Sequence, residues 1–444
     1  MRKIIITICS LISVTCAEKE QKKIKRSFHI NSGYNEPEFN SNEGLKHLPL
    51  STMQLYSKIH DVTNDLVPHW GTRLSLLLVD YMAHNPIPFP HKEANNHWLT
   101  RKAFWPGKIA YHEFGHARAK RMTGGEPQYE GRFYGGNSFK ISSAIDYYIQ
   151  SITHLSLYKG GETSGGNAIL PLINEAGGFN NETRLSQDIA SLVYTKGGHV
   201  GYFTSYMTYK LNAATYTMRS ENAVKNGERS TLGGDSASVI SVYSNKIDAK
   251  ALKRDGFLTF LASGATWAFV KGWWDYIRTG DPTVEPFTWK GIRWPDFSVY
   301  YNTNGPSLEI ISGYKYSENL FFDLGFEFIY KVIRTDTQIE NKDIYKVNAT
   351  WQITPSVRYV YHGCQNVGAI TIEGSAMISK SGFGASVGLE VESNRLPLSF
   401  HAKYTLYNLN TLYGERNMPF FYKVDPKDKS NFDNETLVGI AINY

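Results

Sequence analysis

From residue 295 to the end of the chain, apolar side chains recur at every second position. Phe322, Leu324, Phe326, Phe328, Tyr330 and Val332 alternate with Asp323, Gly325, Glu327, Ile329 and Lys331. The pattern returns in Phe383, Ala385, Val387, Leu389 and Val391, and again in Leu396, Leu398, Phe400, Ala402, Tyr404 and Leu406. A period of two gathers the apolar residues on one face of an extended strand, and no helix sustains it. Turn formers separate the runs: Asn302-Thr303-Asn304-Gly305-Pro306, Ser379-Lys380-Ser381-Gly382 and Ser393-Asn394-Arg395. The spacing predicts about eight to ten strands, several close to the roughly 9–11 residues that cross a bilayer obliquely.

Aromatic residues make up 14% of the chain, with 29 Tyr, which is high for a soluble helical enzyme. The sequence ends Val438-Gly439-Ile440-Ala441-Ile442-Asn443-Tyr444, apolar residues alternating up to a terminal aromatic. This ending resembles the closing strand of bacterial outer-membrane β-barrel proteins. The resemblance covers the final third of the chain and implies an antiparallel barrel in contact with outer-membrane lipid. A soluble sheet with one wet face produces the same alternation. The two differ in where the apolar side chains point, outward in a membrane barrel and inward in a soluble sheet.

The N-terminal part reads differently. Met1-Arg2-Lys3, the apolar run Ile4 to Val14 and Thr15-Cys16-Ala17 have the order of a secretory signal peptide (1–17) cleaved near Ala17, with lipoprotein-type cleavage before Cys16 as the alternative. Residues 18–48 are charged and rich in Asn, Ser and Gly and read as a flexible tether. With 444 residues the chain calls for two domains, a helical one over 49–294 and the strands of 295–444. After cleavage only Cys364 remains, which excludes an intrachain disulfide and a cysteine metal cluster. The net charge of +6 is dispersed, so nucleic acid is not an expected partner.

Within the helical part, Met53 to Met82 carries apolar residues at helical spacing in two segments divided by Pro68 and Gly71. The proline-rich stretch Asn85 to His91 separates them from the next helix, which Pro106 starts and Thr123-Gly124-Gly125 stops. Phe139 to Tyr158 reads as an amphipathic helix. Asn167 to Ala176 reads as a short helix ended by Gly177-Gly178, and Asn180-Asn181-Glu182 as the cap of another running to about Tyr194. Phe257 to Ile277 is apolar and aromatic but interrupted by Lys271 and Asp275, which favours a packed helix over a membrane span.

The chemistry-bearing stretch is His112-Glu113-Phe114-Gly115-His116. Two imidazoles at i and i+4 share one helix face and can meet one Zn²⁺, while Glu113 stands beside them as general base for a metal-activated water. The motif resembles that of the zincin metallopeptidases, and its Phe114-Gly115 interior resembles membrane-associated families with HEFGH or HELGH cores. That likeness is confined to one helix. It departs from the zincin pattern at Arg118, where an apolar residue is usual. The plainer reading is a polar helix face with two structural histidines.

A catalytic zinc takes three protein ligands. No third His follows closely, so a glutamate from a second helix, as in gluzincins, is the expected third ligand. Glu175, near a helix C-terminus where a carboxylate needs a compensating cation, is preferred slightly over Glu182, which a helix N-terminus favours anyway. Asp188 is a candidate acceptor for a ligand histidine, and His154 and His199 are candidates to stabilise an oxyanion. No Ser-His-Asp or Cys nucleophile signature is present.

The expected fold class is α+β, a helical zincin-like domain followed by a C-terminal antiparallel β-barrel. The expected function is a zinc-dependent hydrolase acting on a peptide or protein, exported to the bacterial outer membrane or periplasm. The alternatives are a non-catalytic barrel protein (porin, adhesin or assembly factor) and a zinc hydrolase acting on envelope lipid or glycan.

Overall fold

The alternating runs fold into the strands they predict. The structure, a computed structural model, describes residues 27–30, 47–84, 110–117, 128–133, 138–141, 158–164, 171–225, 234–243, 246–302, 305–331, 351–362, 367–379, 383–393, 398–408 and 432–443. The signal peptide, the proline-rich stretch, Arg118, His154, Cys364 and Tyr444 lie outside them.

The helices, in chain order, are α1 (His47–Leu66), α2 (Trp70–His84), α3 (110–117), α4 (Pro171–Lys196), α5 (Phe203–Lys210), α6 (Asn212–Lys225), α7 (Gly234–Val242), α8 (Ala249–Ala262) and α9 (Gly264–Thr279). The segments α1 and α2 are the two expected on either side of Pro68, and the metal-motif helix is present as α3. Three expectations are corrected. Gly177-Gly178 does not end a helix: α4 runs through both glycines for 26 residues. The apolar stretch at 257–277 is two helices, broken at Ser263, whose extended backbone (φ −71, ψ 133) cannot continue the turn. At the two ends of the expected helix 139–158 stand strands instead, and residues 142–157 between them lie outside the described residues. These strands belong to a small antiparallel sheet of β2 (Gln128–Phe133), β3 (Ser138–Ile141) and β4 (Tyr158–Ser164), in the order β3-β2-β4; a separate two-residue pair joins β5 (Gly198–His199) to β6 (Thr283–Val284).

The large sheet contains β7 (Thr288–Trp289), β8 (Ile292–Arg293), β9 (Asp296–Asn302), β10 (Gly305–Lys315), β11 (Leu320–Ile329), β12 (Trp351–His362), β13 (Val367–Ser379), β14 (Phe383–Ser393), β15 (Leu398–Asn408) and β16 (Phe432–Asn443). Consecutive strands from β9 to β16 pair antiparallel as hairpin neighbours. The other edge strand is β1 (Ser27–Ile30), paired with β16 through Ser27↔Asn443. Part of the expected tether is therefore a strand of the sheet. Among the described residues no pairing joins β1 to the β7–β9 end, so the helical and antiparallel character is observed while closure into a barrel is not.

Register sorts the two faces. Opposed residues in antiparallel strands point the same way, and the row Ile292↔Tyr314↔Phe322↔Val357 places exposed apolar side chains side by side across four strands. The row continues with Tyr359↔Ile372↔Leu389, all three exposed. On the opposite face, Glu309↔Glu327↔Gln352 form a buried polar row, and Arg358 donates to Glu373 at 2.6 and 2.9 Å. The exposed rows are thus apolar, while the face turned toward the helices at β9–β11 is mixed, burying Glu309 and Glu327 together with Ile311, Phe321 and Ile329, Phe321 against Tyr194 of α4.

Helix α4 connects the helical core to this face. The Asn180 side chain pairs with the backbone of Tyr301 in β9, donating at 3.1 Å and accepting at 2.9 Å. Gln187 donates to Glu309 and accepts from the Tyr300 hydroxyl. The remaining faces of α4 pack Leu185, Ile189 and Val193 into a core with Tyr111, Phe114, Tyr206 and Phe269.

Candidate metal centre

Helix α3 has two faces with different fates. Tyr111, Phe114 and Ala117 are buried in the helical core, while His112 and His116, one turn apart, face α4 and α7. The approach of α3 to α4 depends on missing side chains. A Cβ on Gly115 would lie 2.2 Å from the carbonyl oxygen of Gly177, and one on Gly178 would lie 2.3 Å from Cε1 and Nε2 of His112. The glycine pair read as a helix stop is instead the surface on which the histidine ring rests. Asn181, one turn along α4, ties the two helices by donating to the Tyr111 carbonyl at 2.7 Å.

Three potential ligand atoms converge. Nε2 of His112 lies 3.0 Å from Nε2 of His116 and 2.8 Å from Oδ2 of Asp235, and the His116 to Asp235 separation is 3.5 Å. Four donors around one zinc at about 2.0–2.1 Å stand roughly 3.3 Å apart by tetrahedral geometry, so the three observed separations fit one tetrahedral face. His112, His116 and Asp235 form the one group of this kind among the described residues. Both rings are buried and the carboxylate is partly open, at 27% side-chain exposure.

Asp235 sits in the first turn of α7, where unpaired backbone N–H groups favour a negative charge. Burial alone would raise its carboxyl, but the charges and hydrogen bonds of His116 and His112 hold it well below the usual carboxylate range. Burial likewise opposes the cationic form of both imidazoles. Asp235 and Glu182 outweigh it at His112, which is pushed up to about 10, and Asp235 raises His116 as well. Two carboxylates therefore impose a demand for positive charge on two buried rings, which a divalent cation meets. The donor set of two imidazoles and one carboxylate suits zinc.

Glu182 is fully buried and accepts from Nδ1 of His112 at 2.9 Å. With a cation at Nε2, that bond would hold the one ring proton on Nδ1 and leave the Nε2 lone pair for the metal, the usual relation of a carboxylate to a ligating histidine. Tyr216 of α6 stacks on the same ring at 5.1 Å with planes 6° apart, and Phe179 meets it edge-on at 5.8 Å. The ring is thus held on every side except the one facing Asp235.

Of the residues singled out from sequence, the structure gathers His112, His116, Glu113 and Glu182. Glu113 is half-buried and electrostatically coupled to His116. Glu182 meets the back of the His112 ring. Glu175, two turns earlier on α4, and Asp188, beyond Glu182, are half-buried and outside the cluster. His199 is placed elsewhere: its Nε2 contacts Asp61 at 2.9 Å and its Nδ1 accepts from Gly201 N at 2.9 Å, capping the 3-10 turn Val200–Tyr202. Asp235 was not singled out from sequence. Its one local signal is its place after Gly233-Gly234, which reads equally as an ordinary helix start.

Comparison with family models, with curated proteins and with solved structures gave no match.

Proposed function

We propose that the protein is a metal-dependent hydrolase, zinc being the cation its donor set suits best, seated in the bacterial outer membrane by its strand domain. The observation that supports it most is the meeting of His112, His116 and Asp235 within ligand spacing, with Glu182 behind and Glu113 beside them. His112 and His116 would hold the metal through Nε2, and Asp235 through Oδ2. When bound, zinc polarises a carbonyl or phosphoryl oxygen and lowers the pKa of water.

The chain's own groups supply the rest. The Glu113 carboxylate takes the proton of the attacking water and delivers it to the leaving atom, an amide nitrogen for a peptide substrate. Glu182 keeps the His112 ring from turning and raises its basicity through the Nδ1 hydrogen bond. The partial opening at Asp235 leaves the cluster accessible from one side.

The membrane reading rests on the sheet. A face of Phe322, Leu324, Phe326, Val387 and Leu389 points outward and a face of Glu309, Glu327, Arg358 and Glu373 inward, which is the arrangement of outer-membrane barrels and the inverse of a soluble sheet. Strands of 10 to 13 residues from β10 to β16 suffice to cross. No described helix is long and apolar enough to do so.

The test is hydrolysis by the purified full-length protein in detergent, loaded with zinc, against peptide, acyl-lipid and glycan substrates in parallel. Wild type should turn over one class, with Glu113→Gln inactive yet still loaded. Full activity of Glu113→Gln overturns the mechanism. Activity on lipid or glycan alone moves the substrate class and keeps the chemistry.

A further inference from the structure

The helical domain carries an apolar surface that its own core does not use. In α9, Ala265, Phe269, Trp273 and Tyr276 are buried, yet Trp267, Val270 and Trp274 on the other side are 44–61% exposed. The preceding helix repeats this with Phe257, Leu258 and Leu261, 41–57% exposed. A surface helix in water turns charged residues outward. Here α9 places Trp267, Val270 and Trp274 at i, i+3 and i+7, and α8 places Phe257, Leu258 and Leu261 at i, i+1 and i+4, on their outer sides, with the exposed Lys271–Asp275 ion pair among the α9 residues.

This surface runs on into the outward face of the sheet. The junction of α8 and α9 is pinned to Trp294: the indole Nε1 donates to the Ala262 carbonyl at 3.2 Å, and Gly264 N donates to Pro295 O at 3.0 Å. Trp294, 59% exposed, directly follows β8, where Ile292 pairs in register with Trp289 and with Tyr314 of β10. Tyr314 is in turn level with Phe322, the start of the apolar row on the sheet. Two of the tryptophans also carry a cation over the ring, Arg278 above Trp274 at 6.0 Å and Lys290 above Trp289 at 5.1 Å. An amphipathic indole with an adjoining cation suits the headgroup level of a bilayer, the ring against acyl chains and the charge toward phosphate.

We infer that α8, α9 and the β7–β8 hairpin lie in the membrane–water interface, so that the domain bearing the metal centre is moored to the bilayer by its own surface. The occupant is the lipid interface. Continuity with the sheet row supports that choice, and the helices, too short and insufficiently apolar to span, fit a position in the plane of the membrane. The inference rests on the reading of the sheet as membrane-embedded and adds that the helical domain does not stand free in the aqueous phase.

The experiment places a nitrobenzoxadiazole label on single cysteines at Trp274, Trp267 and Leu389, in the full-length protein with its native cysteines changed to serine. The protein is reconstituted in phosphatidylcholine–phosphatidylglycerol vesicles carrying shallow or deep doxyl lipids. The label on Trp274→Cys and Trp267→Cys should lose most of its fluorescence to shallow-doxyl lipid and be protected from aqueous iodide, and the label on Leu389→Cys should be quenched by lipid. Quenching at 389 with iodide access at 267 and 274 overturns the mooring and keeps the membrane-embedded sheet. Protection from both quenchers at 267 and 274 assigns the surface to a second protein copy and also overturns it. Absence of lipid quenching at all three positions overturns the inference together with the reading beneath it.

Discussion

Gly178→Ala gives the sharpest perturbation of the site, because two effects of the added methyl group have opposite signs. In an exposed helix interior, alanine in place of glycine stabilises by roughly 0.5–1 kcal/mol. At position 178 the new Cβ would stand 2.3 Å from Cε1 and Nε2 of His112, where ordinary contact begins at 3.4 Å. The ring or the helix must therefore retreat by about 1 Å, and overpacking of this kind costs typically 1–3 kcal/mol. The net expectation is a loss of roughly 1–2 kcal/mol, a drop of a few degrees in Tm for a protein of this size. Ligand distances tolerate only about 0.2 Å, so zinc affinity should fall at least as far as on loss of an outer-sphere partner, roughly 10–100-fold. Thermal unfolding and competition against a chromophoric chelator read the two effects separately. A variant that is more stable than wild type and binds zinc equally well would refute the placement of the ring on the glycine.

Further outcomes follow from the same geometry. Glu182→Gln removes the charge behind His112 and should weaken zinc binding roughly 10–100-fold with the fold retained, while Glu175→Gln should leave affinity unchanged; chelator competition on both variants decides between the two glutamates. Leu324→Arg on the outward face of β11 should cost roughly 2–4 kcal/mol if that face meets lipid, against about 0.5 kcal/mol or less on a wetted sheet, read by urea unfolding in vesicles. Lys210 is buried beside Asp296 and Glu309 with its ammonium donating to Ser298 Oγ at 2.8 Å; burial, only partly offset by those carboxylates, pushes it from 10.5 down to about 8. A folded-state value below the unfolded one means that protonation favours the unfolded chain. The penalty is full below about pH 8 and is relieved as pH rises toward 10.5, amounting to about 3 kcal/mol. Wild-type stability should climb over that window and Lys210→Met should lack the climb.

The strands were legible because period two survives from sequence to structure unchanged: the runs at 322, 383 and 398 became β11, β14 and β15. That His112 and His116 share one helix face was legible for the same reason, since i, i+4 spacing on a helix is local information. Gly177-Gly178 reads locally as a helix stop, whereas close packing of α3 on α4 demands two residues without side chains inside α4; the break at Ser263 has no such local mark, because it comes from pairing with the 295–297 backbone. The 139–158 segment shows the converse, its end residues drawn into strands by pairing with Gln128–Phe133. Asp235 lay beyond reach because 119 residues separate it from His116 in the contact, and only the fold brings the first turn of α7 against α3. Glu182, a candidate third ligand from its place in sequence, meets Nδ1 of His112 in the structure, and which imidazole nitrogen it meets is set by the α3–α4 crossing.

The measurement that bears most directly on the metal centre is the zinc content of the purified full-length protein after loading and exhaustive desalting, compared across wild type, Glu113→Gln and Asp235→Ala. One bound equivalent is expected in wild type and in Glu113→Gln, since the proposed role of the Glu113 carboxylate is that of a base and not a ligand, and loss of that equivalent is expected in Asp235→Ala. A full equivalent retained by Asp235→Ala would contradict the proposed ligand set.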